Sequence, residues 1–239
     1  MLRTVYVLVL LATFVLSACG GRAAGPTPTP TPTPAEIAAA IGQATQASES
    51  VHFEITLSGA PVFADQSGLT VLNSVEGDLR RPDAVLAILN VTLGGAVAEI
   101  RTISLAGRQF ITNPITRQWQ CLEPGMAFDP VVLFDPENGV EALLQDEFSD
   151  IERLESDTID GRSQYHLRGT LPAEPLQAIS MGLLGSGPVT AELWADMETM
   201  RATRLVLLDT SSDPANPTTW TITFSDYGKT IDVREPVTC

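Results

Sequence analysis

The sequence predicts an α+β fold, in which a strongly curved antiparallel sheet of about ten or eleven strands wraps around a few helices. Three observations predict it. Apolar and polar residues alternate with a period of two in many successive runs. Gly-, Pro- and Asp-containing joints typical of hairpin turns separate these runs. Helix-forming stretches interrupt them in three places. Because a sheet of that size usually curls, its concave face must be covered or filled.

The first eighteen residues have the layout of a secretory signal peptide, with Arg3, then an apolar run over 5–16, then small residues. The apolar run is shorter than the roughly 20 residues that a bilayer span requires. The segment Leu16-Ser17-Ala18-Cys19 resembles the lipobox of bacterial lipoproteins, which implies cleavage before Cys19 and lipid on its thiol. The alternative is an ordinary signal peptide in which Cys19 is incidental. Lipidation would hold the protein on a membrane without crossing it.

A strict Thr-Pro repeat covers residues 26–34. Proline at every second position fixes φ and removes amide donors, so the segment cannot pack into a core. In polyproline II geometry it would be a semi-rigid spacer of roughly 28 Å. We therefore expect three parts: a signal peptide at 1–18, a lipidated cysteine and linker at 19–34, and a single folded domain at 35–239.

The folded part begins with an alanine-rich amphipathic helix from residue 35 to about residue 50. Next, Val51, Phe53, Ile55 and Leu57 alternate with polar residues, which predicts a strand with one buried face. Further strands are expected at 71–80, 84–93, 96–105, 109–112 and 117–122. The strand at 84–93 is apolar on both faces, so we expect both to be covered in part.

The second half of the chain also contains predicted helices and strands. Two short helices are predicted between residues 129 and 144, on either side of Asp135-Pro136. A further helical piece is predicted at 172–184, and it is unusually apolar at its end. The remaining strands are expected at 148–159, 162–171, 188–197, 201–209 and 218–227.

Charge and cysteine content restrict the function. The net charge of −15 makes nucleic acid a poor partner, because phosphate binding depends on Lys and Arg. With Cys19 used for lipid, Cys121 and Cys239 remain, and an exported chain favours their pairing as a disulfide. Closing a loop of about 119 residues would contribute up to roughly 4.7 kcal/mol of stability.

The sequence contains no motif for covalent catalysis, phosphate binding or dinucleotide binding. His52 and His166 lack ligand partners at zinc-site spacing, and His52 falls on the polar face of its strand. The adjacent Asp146 and Glu147 would point to opposite faces of a strand and could not converge on one bond. We therefore expect no enzyme activity, no metal and no cofactor.

Several short segments together resemble one family, the LppX/LprAFG lipoproteins, over about residues 35–235. They are Ser50-Val51-His52-Phe53, Gly77-Asp78-Leu79-Arg80-Arg81-Pro82-Asp83, Asn113-Pro114-Ile115-Thr116-Arg117-Gln118-Trp119, Ile159-Asp160-Gly161 and Glu192-Leu193-Trp194-Ala195-Asp196. The resemblance implies a half-barrel of antiparallel strands on a helical layer, similar to the LolA and LolB carriers, with an apolar cavity for lipid. It implies no catalytic residue. This chain departs from the family in its Thr-Pro repeat and in Cys121 and Cys239.

The preferred hypothesis is a lipid-anchored protein on the extracytoplasmic face of the cell membrane or cell envelope that binds or carries a lipid or acylated glycolipid. The expected cavity residues are Phe53, Ile55, Leu57, Val85, Ala87 and Leu89, with Leu176, Ile179, Met181 and Leu183 as a lid. The expected partners are the membrane itself and an envelope transporter or acceptor lipoprotein, and the expected state is a monomer. The alternative is a non-enzymatic envelope scaffold whose half-barrel is filled by its own side chains.

Overall fold

The structure, a computed structural model, describes residues 31–65, 67–123 and 129–239. Residues 32–239 form one compact unit. The predicted signal peptide, Cys19 and most of the Thr-Pro repeat lie outside the described residues. Within the described stretches, no helix combines the length and the apolar character needed to cross a bilayer.

Helix α1 (Pro34–Gln46) begins at a capping box. The Glu36 N–H donates to the Thr33 hydroxyl at 3.3 Å, and the Thr33 N–H donates to the Glu36 carboxylate at 2.7 Å. Proline at the first helical position costs nothing there, since that N–H would have no partner within the helix. Ile37 and Ile41 are buried on one face of the helix. The helix ends four residues before the predicted boundary.

Thirteen antiparallel strands of the described chain form one sheet. They are β1 (Ser50–Ser58), β2 (Val62–Phe63), β3 (Thr70–Arg80), β4 (Ala84–Leu93), β5 (Ala96–Leu105), β6 (Arg108–Thr112), β7 (Trp119–Leu122), β8 (Ser149–Arg153), β9 (Asp157–Ile159), β10 (Arg162–Leu171), β11 (Val189–Asp196), β12 (Ala202–Asp209) and β13 (Thr218–Ser225). Their order is β7-β6-β5-β4-β3-β1-β13-β12-β11-β10-β8, with β2 paired to β3 and β9 to β10. The end strands β7 and β8 do not pair with each other, so the sheet is an open half-barrel, as predicted.

The prediction of one strand over 148–159 is wrong. The chain forms β8 and β9 instead, separated by residues 154–156, and both pair with β10. The register of β10 against β8 shifts between Arg168 and Thr170, where Gly169 lies close to Phe148. A Cβ at Gly169 would approach the Phe148 ring to 2.7 Å. This local distortion depends on tertiary packing, which the alternation of residues does not reveal.

Three further helical segments cover the concave face of the sheet: a 3-10 helix (Pro130–Phe134), α2 (Val140–Asp146) and α3 (Ala173–Ser180). The Phe134 ring packs against Phe53 of β1 with ring centroids 5.2 Å apart. The helix predicted over 172–184 ends at residue 180, because Met181 and Gly182 adopt left-handed backbone angles of φ 52° and 77°.

A half-buried arginine connects the helical layer to the sheet. Arg81, in the β3–β4 turn, donates to the Ser48 carbonyl at 3.1 Å and to the Phe134 carbonyl at 3.0 Å. It also forms an ion pair with Glu141 of α2, a residue only 2% exposed. Burial raises the pKa of the Glu141 carboxyl, although the Arg81 guanidinium opposes that shift.

The C-terminal segment, residues 226–239, covers part of the convex face. Val233 packs in a small cluster with Ala84 of β4, Ile103 of β5 and Phe110 of β6. Cys239 forms a disulfide with Cys121 of β7, the pairing that the sequence predicts. The beginning of strand β4 is therefore covered on both faces, in line with the partial cover that its sequence predicts, and Ala84 has no exposed surface.

Candidate functional site

A cavity of about 690 Å³ lies between the concave face of the sheet and the helical layer. Its volume falls within the roughly 300–1,000 Å³ typical of small-molecule sites. The residues that line it come from β1, β2 and its following loop, β3–β6, β10, β12 and β13 on the sheet side. On the other side they come from the 3-10 helix, α2, α3 and the loop after α3.

The cavity floor contains an unbroken row of apolar side chains. Residues paired across six neighbouring strands, from β12 to β5, all line the cavity at the same height. This row is Leu205, Ile222, Ile55, Val75, Leu89 and Ile100. Since neighbouring strands are about 4.8 Å apart, the row is roughly 24 Å long. A surface of this length and chemistry suits an extended hydrocarbon chain.

Small residues lie in the row next to the floor. Gly77 of β3 pairs with Ala87 of β4, which pairs with Thr102 of β5. A Cβ on Gly77 would lie 2.7 Å from Cζ of Phe53, so the Phe53 ring occupies the space over the glycine. Ala87 and Thr102 line the cavity with short side chains.

The roof of the cavity is apolar as well. Leu133 of the 3-10 helix and Leu143 of α2 line it, together with Leu176 and Ile179 of α3. Leu176 and Ile179 are only 2% and 5% exposed. These two side chains therefore line the cavity and are also packed closely against their neighbours.

The cavity opens where its lining becomes exposed to solvent. Phe63 of β2 and Met181, directly after α3, both line the cavity and are 47% and 62% exposed. Asp65 is the one charged residue among the described residues that line the cavity. Hydrogen bonds, chiefly from the Ser67 hydroxyl and from Thr70, hold the pKa of Asp65 well below its usual range.

The structure places eight of the ten expected cavity residues on the cavity wall: Phe53, Ile55, Ala87, Leu89, Leu176, Ile179, Met181 and Leu183. Val85 is fully buried and pairs with Leu79 and Ser104, away from the cavity. Leu57 lies half-buried beside its cross-strand partner Trp220, and it is the Trp220 side chain that lines the cavity.

Other lining residues were not expected from the sequence. They include Leu205, Leu207 and Ile222 from the last two strands, and Leu133 and Leu143 from the roof. The alternation within 201–209 and 218–227 marked those strands as having one apolar face. It gave no indication that β13 pairs with β1 and thereby joins the two halves of the sheet.

Both histidines have carboxylate partners outside the cavity. His52 of β1 bonds through Nδ1 to Asp78 of β3 at 2.9 Å. His166 bonds through Nε2 to Glu192 at 2.9 Å, and its ring stacks on Trp194 with centroids 4.1 Å apart. No group of three or more metal-ligating side chains comes together in the part of the chain that the structure describes. The described residues that line the cavity include no pair of titratable side chains of the kind that acid–base catalysis uses.

Comparison with known sequences gives a family and named relatives. The model of the LppX_LprAFG lipoprotein family matches residues 33–233. The lipoarabinomannan carrier protein LprG of Mycobacterium tuberculosis is 25% identical over 194 residues, which cover 80% of this chain and 77% of that protein. The protein of the same name from Mycolicibacterium smegmatis is 24% identical over 199 residues, covering 80% and 78%.

Two solved structures have a similar fold. The crystal structure of LprF from Mycobacterium bovis aligns with a TM-score of 0.67 and 19% identity, covering 87% of this chain and 99% of that one. The crystal structure of the Mycobacterium tuberculosis lipoprotein LppX aligns with a TM-score of 0.59 and 16% identity, covering 84% and 98%.

Proposed function

Because this chain belongs to the LppX_LprAFG lipoprotein family, we propose that it carries a lipid or acylated glycolipid in its cavity, without covalent catalysis. The observation that supports this most strongly is the cavity of about 690 Å³ with its continuous apolar floor. Its lining offers hydrocarbon chains a dry surface and offers a polar headgroup little hydrogen bonding.

The energetics of such binding need no specific polar contact. Each methylene transferred from water to an apolar site contributes about 0.8 kcal/mol. Ten sheltered methylenes would therefore contribute roughly 8 kcal/mol before the entropy of association is subtracted. Headgroup selection must then come from the mouth of the cavity, where Asp65 carries the charge.

The relatives support an acylated glycolipid as the cargo class, since LprG is named as a lipoarabinomannan carrier. A lipid linked to sugars would place its acyl chains inside the cavity and its glycan outside. This arrangement accounts for a cavity that is apolar inside and open at one end.

The N-terminal sequence supports a surface location in the cell envelope. Lipid on Cys19 would anchor the protein, and the Thr-Pro repeat at 26–34 would separate the domain from the headgroups. The proposed boundaries are a signal peptide at 1–18, the anchor and linker at 19–34 and the carrier domain at 35–239. The proposed partners remain an envelope transporter or an acceptor lipoprotein, which would deliver or receive the cargo.

A titration tests the proposal. Residues 32–239, which form one compact unit with its own core, would be produced in an oxidising compartment and stripped of lipid. We expect saturable binding of a fluorescent long-chain fatty acid, and its displacement by a diacylated glycolipid. A short, water-soluble fatty acid serves as the control and should not compete. Absence of binding by a fragment with an intact disulfide and native circular dichroism would refute the carrier function and favour the scaffold alternative.

A further inference from the structure

Large apolar side chains are exposed around one end of the half-barrel. Phe63 and Met181 at the cavity mouth are 47% and 62% exposed, and Leu69, in the loop after β2, is 62% exposed. The end of β4 adds Leu93, which is 37% exposed, and the beginning of β5 adds Val97, which is 79% exposed. We call these five residues the rim.

The hydrogen bonding of the sheet brings these residues to one end. Leu93 pairs with Thr70, the residue next to Leu69, and the Gly94 N–H donates to the Leu69 carbonyl at 3.0 Å. Val97 pairs with Thr92, so it lies close to the same turn, with its side chain on the face of the sheet opposite to that of Leu93. Phe63 and Met181 both line the cavity and are exposed to solvent as well. These two residues therefore connect the rim to the cavity wall.

Hydrogen-bonded turns hold the rim residues outward. The Asp65 carboxylate accepts hydrogen bonds from the N–H groups of Ser67 at 2.8 Å and Thr70 at 2.6 Å, which fixes the loop that carries Leu69. Behind Met181, the Leu184 N–H donates to the Ser180 hydroxyl at 3.1 Å, and the Gly185 N–H donates to Asp209 at 2.7 Å. Leu69 and Met181 are therefore exposed to solvent, although the apolar cavity lies nearby.

The charge pattern decides which surface the rim fits. The segments 59–70, 93–97 and 181–187 contain no Lys or Arg. An anionic surface would therefore find no positive charge at the rim and would be repelled by a net charge of −15. A second copy of the chain would be repelled for the same reason. A neutral lipid surface carries no such penalty and accepts apolar side chains.

We propose that the rim docks on the surface of a neutral lipid bilayer, with Phe63, Leu69 and Met181 inserted among the acyl chains. This inference rests on the proposed carrier function and names the surface from which the cavity is loaded. With the mouth seated in the bilayer, an acyl chain passes from lipid to cavity without exposure to water. Each methylene then avoids a cost of about 0.8 kcal/mol.

Vesicle flotation tests this docking directly. Residues 32–239 lack Cys19, so any association with phosphatidylcholine vesicles must come from the domain itself. We expect the fragment to float with these vesicles equally at low and high salt. The double variant Leu69→Ser/Val97→Ser should lower the floated fraction about tenfold. Neither residue lines the cavity, so fluorescent fatty-acid binding should stay within a factor of two of the unsubstituted fragment.

Ile115→Ser provides the matched control, because Ile115 is 84% exposed and lies in the β6–β7 turn outside the rim. This variant should float like the unsubstituted fragment. The docking inference is wrong if the fragment binds fatty acid but does not float, if the double variant floats undiminished, or if flotation requires anionic lipid. It is also wrong if the rim instead pairs two copies, seen as a dimer that the double variant dissolves. Loss of fatty-acid binding by the unsubstituted fragment would contradict the carrier function itself.

Discussion

Replacing Ala87 by phenylalanine should block the cavity without unfolding the protein. Ala87 lines the cavity in the row next to the floor, between Gly77 and Thr102, and is 1% exposed. A ring at this position would occupy space that cargo would otherwise fill. If it displaces three methylenes of an acyl chain, at about 0.8 kcal/mol each, binding weakens by about 2.4 kcal/mol. That corresponds to a roughly 60-fold higher Kd.

The stability of the same variant tests independently whether the space next to Ala87 is empty or filled. In a filled core, an added ring forces neighbours apart and costs about 1–3 kcal/mol of stability. In an empty cavity, the ring gains contacts, so the thermal midpoint should stay constant or rise. The assay is fluorescent fatty-acid titration of the Ala87→Phe fragment, with thermal unfolding followed by circular dichroism.

Ile88→Phe is the matched control, because Ile88 is the next residue on β4 and its side chain lies on the opposite face of the sheet. It should leave the Kd within a factor of two. A thermal midpoint lowered by several degrees in Ala87→Phe, together with an unchanged Kd, would show that the cavity does not hold the fatty acid at this position.

Three further predictions concern stability. Cys121→Ser opens the loop of 118 residues closed by the disulfide, so urea unfolding should show a loss of roughly 3–5 kcal/mol, and reduction of the unsubstituted protein should give the same midpoint. Arg81→Met leaves the Glu141 carboxyl buried without its partner and should cost about 3–5 kcal/mol in the same assay, while Arg80→Met should cost under about 1 kcal/mol; equal effects of the two would contradict the role given to Arg81. Because the pKa of Asp65 is lowered in the folded protein, its ionised carboxylate stabilises the fold. This stabilisation is complete above the ordinary pKa of 3.8 and is lost as the pH falls through the lowered pKa. The difference in thermal midpoint between the protein and Asp65→Asn should therefore be constant from pH 7 to that value and shrink only below it, and a difference that shrinks between pH 7 and 5 would contradict the assignment.

Local features of the fold could be predicted from the sequence, because they depend on residues close in the chain. The alternation from Val51 to Leu57 shows which face of β1 is dry, and Gly94-Gly95 marks the β4–β5 turn. These signals need only the period-two geometry of a strand and the turn chemistry of glycine. They were sufficient for the curved antiparallel sheet and the helical layer.

Long-range features could not be predicted in the same way. The β1–β13 ladder joins residues about 170 positions apart, and it brings Ile222 and Leu205 beside Ile55 on the cavity floor. Nothing in an isolated strand pattern specifies its partner. Val85 shows a related limit, since it shares a strand face with Ala87 and Leu89 but lies too far along β4 to reach the cavity. Alternation gives the face of a residue and not its height in the barrel.

Native mass spectrometry of the fragment 32–239, purified from a bacterial host without lipid stripping, tests the carrier function most directly. We expect a complex whose added mass is one lipid or glycolipid with at least two acyl chains, and we expect Ala87→Phe to reduce the amount of that complex. A bare polypeptide mass, from a folded fragment that also takes up no fluorescent fatty acid, would contradict the carrier function.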